Sequence, residues 1–505
     1  MKKIAIILFS ACGLIGLNAC DAGFDELNVN KTAAIAINPV FALNNAVINI
    51  SPPSTTVLYE VGIVQQMVSP NSGVLTGANF NQDNRDNTQA TWQRYYRSVI
   101  RNTYDVIATT KDPSRTNLVN MAKILQSYAF LVLTDTYGDI PYTEAGKGYT
   151  DQKVYPKYDK QQAVYAGIIK DISDAVAALD ASKTRETADV LFGGDVAKWK
   201  KFGNSLLLRI GMRLSKVDAT QAQSLVSKAL AGGVITTNAD NVLILHDANY
   251  LNSIGQLLNA TEANNFYLAA PFVDYLKKTN DPRLRSIAVR YVGATSGTQQ
   301  TPAKAVIDPA VQIGMPFGYD NSSISGPVKT LGLASFYDFS QADRTRMNKT
   351  TARAYLVTAS QTNLLLAEAV TRGWVTGNAK DYYEAGVKAH MAQVSEMDAN
   401  SVVSSAAVDA YLAANPFNST TALEQINTQY WISCFLNGPE AFANFRRTGF
   451  PKLTPNPFSG KAIKGDFINR MTYPNSEISV NSVNVKAAIA NQGADDLDTK
   501  VWWHK

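Results

Sequence analysis

The sequence predicts a mainly α protein: a single domain built on helix pairs, with long irregular loops and few short strands. Two observations predict it. Apolar residues recur at helical spacing over most of the chain, as in Leu364-Leu365-Leu366-Ala367-Glu368-Ala369 and Tyr383-Glu384-Ala385-Gly386-Val387-Lys388-Ala389, which read as facing helices. Between Gly232 and Thr350 that period is lost, and Asn, Ser, Thr, Gly and Pro surround isolated aromatics.

Taken in order, Met1-Lys2-Lys3 and the apolar stretch from Ile4 to Leu17 form a cationic start and a short apolar core, ending at Asn18-Ala19-Cys20-Asp21. That is the pattern of a secretory signal peptide, and its apolar core is shorter than the roughly 20 residues a membrane-spanning helix needs. Residues 1–19 are therefore expected to be a signal peptide, 20–39 a tether and 40–505 the folded domain. A cysteine directly after Leu-x-Ala resembles the lipobox of bacterial lipoproteins, which makes Cys20 the expected lipidation site. Helical patterns then run over 92–109, 118–137, 160–179, 196–215, 221–231, 360–373, 379–394, 408–414 and 421–447. The pair around Gly373 and Ala379 resembles a tetratricopeptide unit, in which small residues let two helices cross closely. No strict 34-residue period runs through the chain, so these are degenerate repeats inside one scaffold.

Composition narrows the function. The net charge of +5 has no Lys/Arg block behind it, so nucleic acid is not expected as a partner. Twenty-three Tyr against three His give many flat amphipathic rings and little acid/base chemistry near neutral pH. Of three cysteines, Cys12 leaves with the signal and Cys20 is acylated, so Cys434 remains alone and is expected to pack in the core.

Three segments carry a resemblance. Thr134-Asp135-Thr136-Tyr137-Gly138-Asp139-Ile140-Pro141-Tyr142 ends a helix, with Gly138 free to turn the chain and Pro141 preventing resumption. Asn437-Gly438-Pro439-Glu440 leads to Phe445-Arg446-Arg447-Thr448-Gly449-Phe450-Pro451, and Tyr473-Pro474-Asn475-Ser476-Glu477 precedes a terminal Trp502-Trp503. In this order, with Asn28-Val29-Asn30 and Asn280-Asp281-Pro282-Arg283, they resemble the SusD/RagB nutrient-binding lipoproteins over essentially the whole mature chain. The resemblance implies a SusD-like domain on tetratricopeptide-like helix pairs, anchored by lipid on the outer-membrane surface, and closing over a SusC-like TonB-dependent transporter. It implies an oligosaccharide cargo, with peptide as the alternative. Asp25 and Glu26 beside the anchor fit surface export in that group.

A sugar has an apolar C–H face and a rim of hydroxyls, so its binder needs aromatic platforms beside amides or acids. Loops of that mixture supply the candidate ligand-binding residues Asn79, Phe80, Asn81, Tyr250, Phe266, Tyr267, Phe317, Tyr319 and Asp320. Trp92, Tyr95, Tyr96 and Trp199 lie at helical spacing among apolar residues and are expected in the core, and Arg446, Arg447, Tyr473 and Glu477 are expected to serve structure. An enzyme is not expected. His246, His390 and His504 form no metal-ligand spacing, and no His-Glu-x-x-His, Gly-x-Ser-x-Gly or phosphate loop occurs. A surface glycosidase remains the weaker alternative, since it needs only two carboxylates flanking a cleft. No cofactor and no metal is expected, and the loop Asp83-Asn84-Arg85-Asp86 lacks the glycine and final glutamate of a calcium-binding EF-hand.

Overall fold

The computed structural model describes residues 38–505, so Cys20 and nearly all of the expected tether lie outside the described residues. Helix α1 (Pro39–Asn49) was not anticipated, because its apolar positions carry no polar counter-face to mark a period. The helix expected over 92–109 begins earlier and is composite: α2 (Arg85–Arg94), a π-helical turn (Tyr95–Ile100) and α3 (Arg101–Thr109). Next come α4 (Thr116–Tyr137), α5 (Gln161–Ala178), α6 (Val196–Arg213) and α7 (Ala219–Gly232), each packed on the one before, with α1 against α3. Asp195 and Asp218 cap the starts of α6 and α7 by accepting from backbone amides left free in the first turn. Gly138, at φ 85°, stops α4.

Across the loop-rich middle, α8 (Ala270–Lys278) is a second unanticipated helix. The tetratricopeptide-like pair is α9 (Ala359–Thr371), opened by a Thr358/Gln361 capping box, and α10 (Ala379–Ser395). Their crossing depends on Gly386, where a Cβ would stand 2.7 Å from Leu364 Cγ. After α11 (Ser405–Ala414) the single helix expected over 421–447 is two, α12 (Ala422–Ser433) and α13 (Gly438–Thr448). The chain turns between them at Leu436, φ 68°, and Pro439 suits only a helix's first turn. The last long helix is α14 (Ser482–Gln492).

Strands are short, as expected. β1 (Met67–Val68) pairs antiparallel with β3 (Tyr267–Leu268), and β2 (Val242–Ile244) with β7 (Ala354–Val357). A three-stranded sheet runs β5 (Ala305–Val306), β4 (Ala288–Tyr291), β6 (Gln341–Ala342). The main core fills the helical layers and holds Trp92, Tyr95 and Trp199, whereas Tyr96 is only partly buried. Cys434 packs inside that core, where burial pushes its thiol pKa up. No described helix is long and apolar enough to cross a membrane.

A knot of buried charge ties the helices to the C-terminus. Asp135 on α4 accepts from Tyr165 Oη, from Trp503 Nε1 at 2.8 Å and from Arg213 Nε at 3.1 Å. Arg213 also donates to Glu440 at 2.7 Å, and Tyr430 Oη donates to the other Glu440 oxygen at 2.7 Å. Arg447 grips Glu368 with two bonds of 2.6 and 2.7 Å. Arg446 donates to the carbonyls of Asp135 and Asn469 at 2.6 and 2.8 Å and lies over the Phe442 ring; burial without a carboxylate partner lowers its pKa to about 9. The Arg-Arg-Thr-Gly segment is thus structural.

Candidate functional site: an aromatic trough along a composite helix

The rod formed by α2, the π turn and α3 carries an open cleft of 440 Å³ on one side. A π turn inserts one extra residue into a helix and is enriched at functional sites. Trp92 and Tyr96 form the floor, with Gln93, Arg97 and Arg101 spaced four apart along the edge. The opposite wall is the loop 141–156 released by the Gly138 stop, joined by Ser476 and Glu477 of the short helix Asn475–Val480.

The floor is fixed by ring packing. Trp92 meets Tyr96 at 4.8 Å, Tyr137 edge-on at 5.2 Å, and Tyr158 and Tyr473 each at 5.9 Å between centroids. Tyr96 Oη donates to the Pro141 carbonyl at 2.6 Å, and burial together with the nearby Glu477 charge raises its pKa well above the usual phenol range. Tyr158 Oη donates to Glu477 at 2.9 Å. At the rim Tyr149 is 97 % exposed, an unusual state for a ring, and Val154 and Tyr155 beside it are also exposed.

The polar groups divide into engaged and free. Glu144 accepts from the Lys157 amide at 2.9 Å and stands 3.7 Å from Lys153 Nζ. That amide bond holds the Glu144 carboxyl below its usual range, the reverse of the raised value a glycosidase acid requires. Arg97 and Arg101 are exposed and have no hydrogen-bond or ion-pair partner among the described residues. The cleft therefore offers ring faces, free guanidinium donors and carboxylate acceptors side by side.

A second, polar lobe of 380 Å³ adjoins at the start of the Asn475–Val480 helix: Asn475 lines this lobe, and Ser476 and Glu477 line the first. Its other walls are Thr76, Gln82, Asp83, Asn84, Arg85 and Asp86. Tyr59 Oη braces the loop by donating to the Gln82 carbonyl and accepting from the Asn84 amide, both at 2.7 Å, while Thr472 Oγ1 donates to Asp83 at 2.7 Å. Among the described residues no group of three or more His, Cys, Asp or Glu is placed to hold a metal.

The residues expected at the site from sequence are distributed unevenly. Asn79 bridges two loops, donating to the carbonyls of Ser69 and Tyr319 and accepting from the Gly318 amide. Phe80 is buried edge-on against Phe458 at 4.9 Å, and Asn81 sits in the left-handed conformation, φ 48°, with its carbonyl accepting from the Ala462 amide. These three are the buried root of the loop whose next residues, Gln82 to Asp86, face the polar lobe. Phe317 packs with Tyr267, Met315 and Phe339 in a separate small core, with Tyr319 partly exposed at its edge. Tyr267, in β3, has no exposed surface and donates from Oη to the Asn264 carbonyl, and Phe266, directly before that strand, belongs to the main core. Asp320 accepts from the Ser322 and Ser323 amides, closing its own turn. Tyr250 lies with a different group, stacked on His246 at 5.5 Å and bonded to the Ile48 carbonyl. Asn79, Tyr267, Phe317, Tyr319 and Asp320 are thus brought together, and Tyr250 and Phe266 are not with them. Sequence reasoning passed over Tyr149, Arg97 and Arg101. The usable signals were a lone Tyr set among Gly146, Gly148 and Thr150, and the Gln93/Arg97/Arg101 polar stripe.

A family model described as SusD-like, "Starch-binding associating with outer membrane", matches residues 30–474. No curated protein sequence matches. Among solved structures, one described as a chitin-binding protein is 31 % identical, covers 92 % of this chain and 100 % of its own, and superposes with a TM-score of 0.81. A SusD-like protein labelled Bacteroidetes AC2a is 27 % identical over 93 % of this chain and 100 % of its own, TM-score 0.81. A chitin-binding SusD homolog from Flavobacterium johnsoniae is 25 % identical over 92 % of this chain and 98 % of its own, TM-score 0.76.

Proposed function

Because the chain belongs to the SusD-like family, we propose that it captures oligosaccharides at the cell surface in the trough along α2 and α3 and passes them to a SusC-like TonB-dependent transporter. It is a binding protein and not an enzyme, as its relatives are. The observation that carries the reading is the combination of the 97 % exposed Tyr149 with the unpartnered Arg97 and Arg101 over the Trp92/Tyr96 floor. An apolar ring face desolvates the C–H side of a sugar, and guanidinium and carboxylate groups reach the hydroxyl rim. The two lobes, 440 and 380 Å³, fall within the usual range of ligand pockets and together suit a chain of several sugar units. The relatives described as chitin-binding support a β-linked N-acetylglucosamine oligomer as the first ligand to try. Cys20 is the residue that would carry the lipid anchor at the outer membrane.

Isothermal titration of the soluble chain beginning after Cys20, against chitin, starch and other oligosaccharides and a peptide panel, tests this. Saturable binding to one glycan class, weakened by Tyr149→Ala, is expected. Binding of peptides alone would refute the glycan assignment, and turnover of a glycan in the cell would refute the binding-only role.

A further inference from the structure

The trough holds its charges unequally. Besides the tyrosines, the ionisable side chains lining it are the cations Arg97, Arg101 and Lys153 and the carboxylates Glu144 and Glu477. Both carboxylates are engaged by the protein itself. Glu144 accepts from the Lys157 amide at 2.9 Å and lies 3.7 Å from Lys153 Nζ, and after that amide bond the charges of Lys153, Lys157 and Lys147 further hold its carboxyl below the usual range. Glu477 Oε2 accepts from Tyr158 Oη at 2.9 Å and from Asn481 Nδ2 at 3.4 Å. Asp151, the other acid of the 141–156 loop, does not line the cleft. The two arginines are not neutralised in this way. Four residues before Arg101 stands Arg97, four before Arg97 stands Gln93, and Asp105, one turn beyond Arg101, makes no ion pair with it among the described residues. Like charges at this spacing repel and disfavour the helix that carries them, and an anion shared by the pair removes that repulsion.

A neutral sugar can accept hydrogen bonds from these guanidiniums, but it displaces water from two charges without balancing either. An acidic group turns the same displacement into a gain, because a bond between charged partners is about twice as strong as one between neutral groups and the planar guanidinium fork matches the paired oxygens of an acid. The second lobe offers no equivalent: its arginine, Arg85, is already bound to Asp495 at 2.6 Å and to Asp83 at 3.2 Å. We infer that the ligand class of this trough is an acidic glycan, whose carboxylate or sulfate-ester group is bound by Arg97 and Arg101 in the first lobe. The inference rests on the glycan-capture reading and deepens it. The neutral N-acetylglucosamine oligomer then becomes the reference against which a charged ligand is measured.

Isothermal titration of the soluble chain with oligomers of equal length tests it: N-acetylglucosamine as the neutral reference, galacturonate for carboxylates, and chondroitin with and without sulfate to separate the two acid groups. At low ionic strength at least one acidic oligomer is expected to bind about tenfold tighter than the neutral one, the strength of one or two charge-assisted bonds over neutral ones. Added salt should shrink that ratio, since the arginines are exposed. In the double variant Arg97→Gln/Arg101→Gln the ratio should fall to about one, with Tm unchanged because neither side chain has a partner in the fold. Equal or tighter binding of the neutral oligomer, or an acidic preference that survives the double substitution, would overturn the inference and leave glycan capture standing. Binding of no oligosaccharide at all would defeat the capture reading itself, and the inference with it.

Discussion

The buried knot around Arg213 and Arg447 and the trough around Trp92 are built from the same materials, arginines, carboxylates and aromatic rings, and they differ in partnering. In the knot Arg213 and Arg447 meet carboxylates and Arg446 meets two carbonyls. In the trough Arg97 and Arg101 meet nothing among the described residues and Tyr149 stands almost fully in solvent. Residue type therefore says little about role here; what remains unsatisfied says more. The segments most distinctive in the sequence, Tyr-Gly-Asp-Ile-Pro-Tyr, Arg-Arg-Thr-Gly and the terminal Trp-Trp, all feed the knot or its surroundings and none supplies the free groups of the trough.

Breaking the knot should give the largest effect. Arg447→Ala leaves Glu368 buried without its two-bond partner and is expected to cost about 3–5 kcal/mol, read as a fall in the chemical-denaturation midpoint. A smaller test contrasts two buried carboxyls inside the scaffold. Burial alone would raise the Glu368 pKa, but Arg447 and Arg372 outweigh it and hold it at about 2; its contribution is present above the ordinary value near 4.5 and is lost as pH falls through 2. Glu60 has no such partner, and burial lifts its pKa to about 7. Its folded form thus holds a proton that the unfolded chain releases, so its contribution is complete below pH 4.5 and is lost as pH rises through 7. Glu60→Gln should leave stability near pH 4.5 unchanged and raise it by about 1–3 kcal/mol above pH 7, measured by urea unfolding across pH.

Changes in the trough should leave unfolding untouched and act on binding alone. Tyr149→Ala is expected to weaken glycan binding by about 5–20-fold with Tm unchanged, the energy of one stacking ring. Arg101→Ala should weaken it by about 2–5-fold, the loss of one solvent-exposed hydrogen bond, in the same titration. A large drop in Tm for either would erase the contrast between the two regions.

Much of the scaffold was legible in the sequence because burial imposes a period, and α4, α5, α6, α9 and α10 ended within a few residues of their expected limits. The break at Leu436 was marked in the sequence by Asn437-Gly438-Pro439, a turn signal whose proline suits only a helix's first turn, but the apolar period resuming on both sides outweighed it. The site was less legible. Loop aromatics such as Phe317 and Tyr267 look like platforms in a list of residues, yet a loop that folds back on itself needs a small core of its own, and these rings form it. Conversely, Arg97 and Arg101 look like any solvated helix face until the loop 141–156 is seen to stand opposite them across the cleft.

The π turn at Tyr95–Ile100 sets the phase between the two halves of the rod. Each helical residue turns the chain by about 100°, so closing that bulge by a single deletion would swing Arg101 about a quarter-turn or more away from the bearing of Trp92. The floor and the edge of the trough would then point in different directions while composition barely changed. Recognition on this rod, as proposed, is a matter of angular timing: one surplus residue synchronises two stretches of ordinary helix, and a chain without it would keep all the other side chains and lose their common horizon.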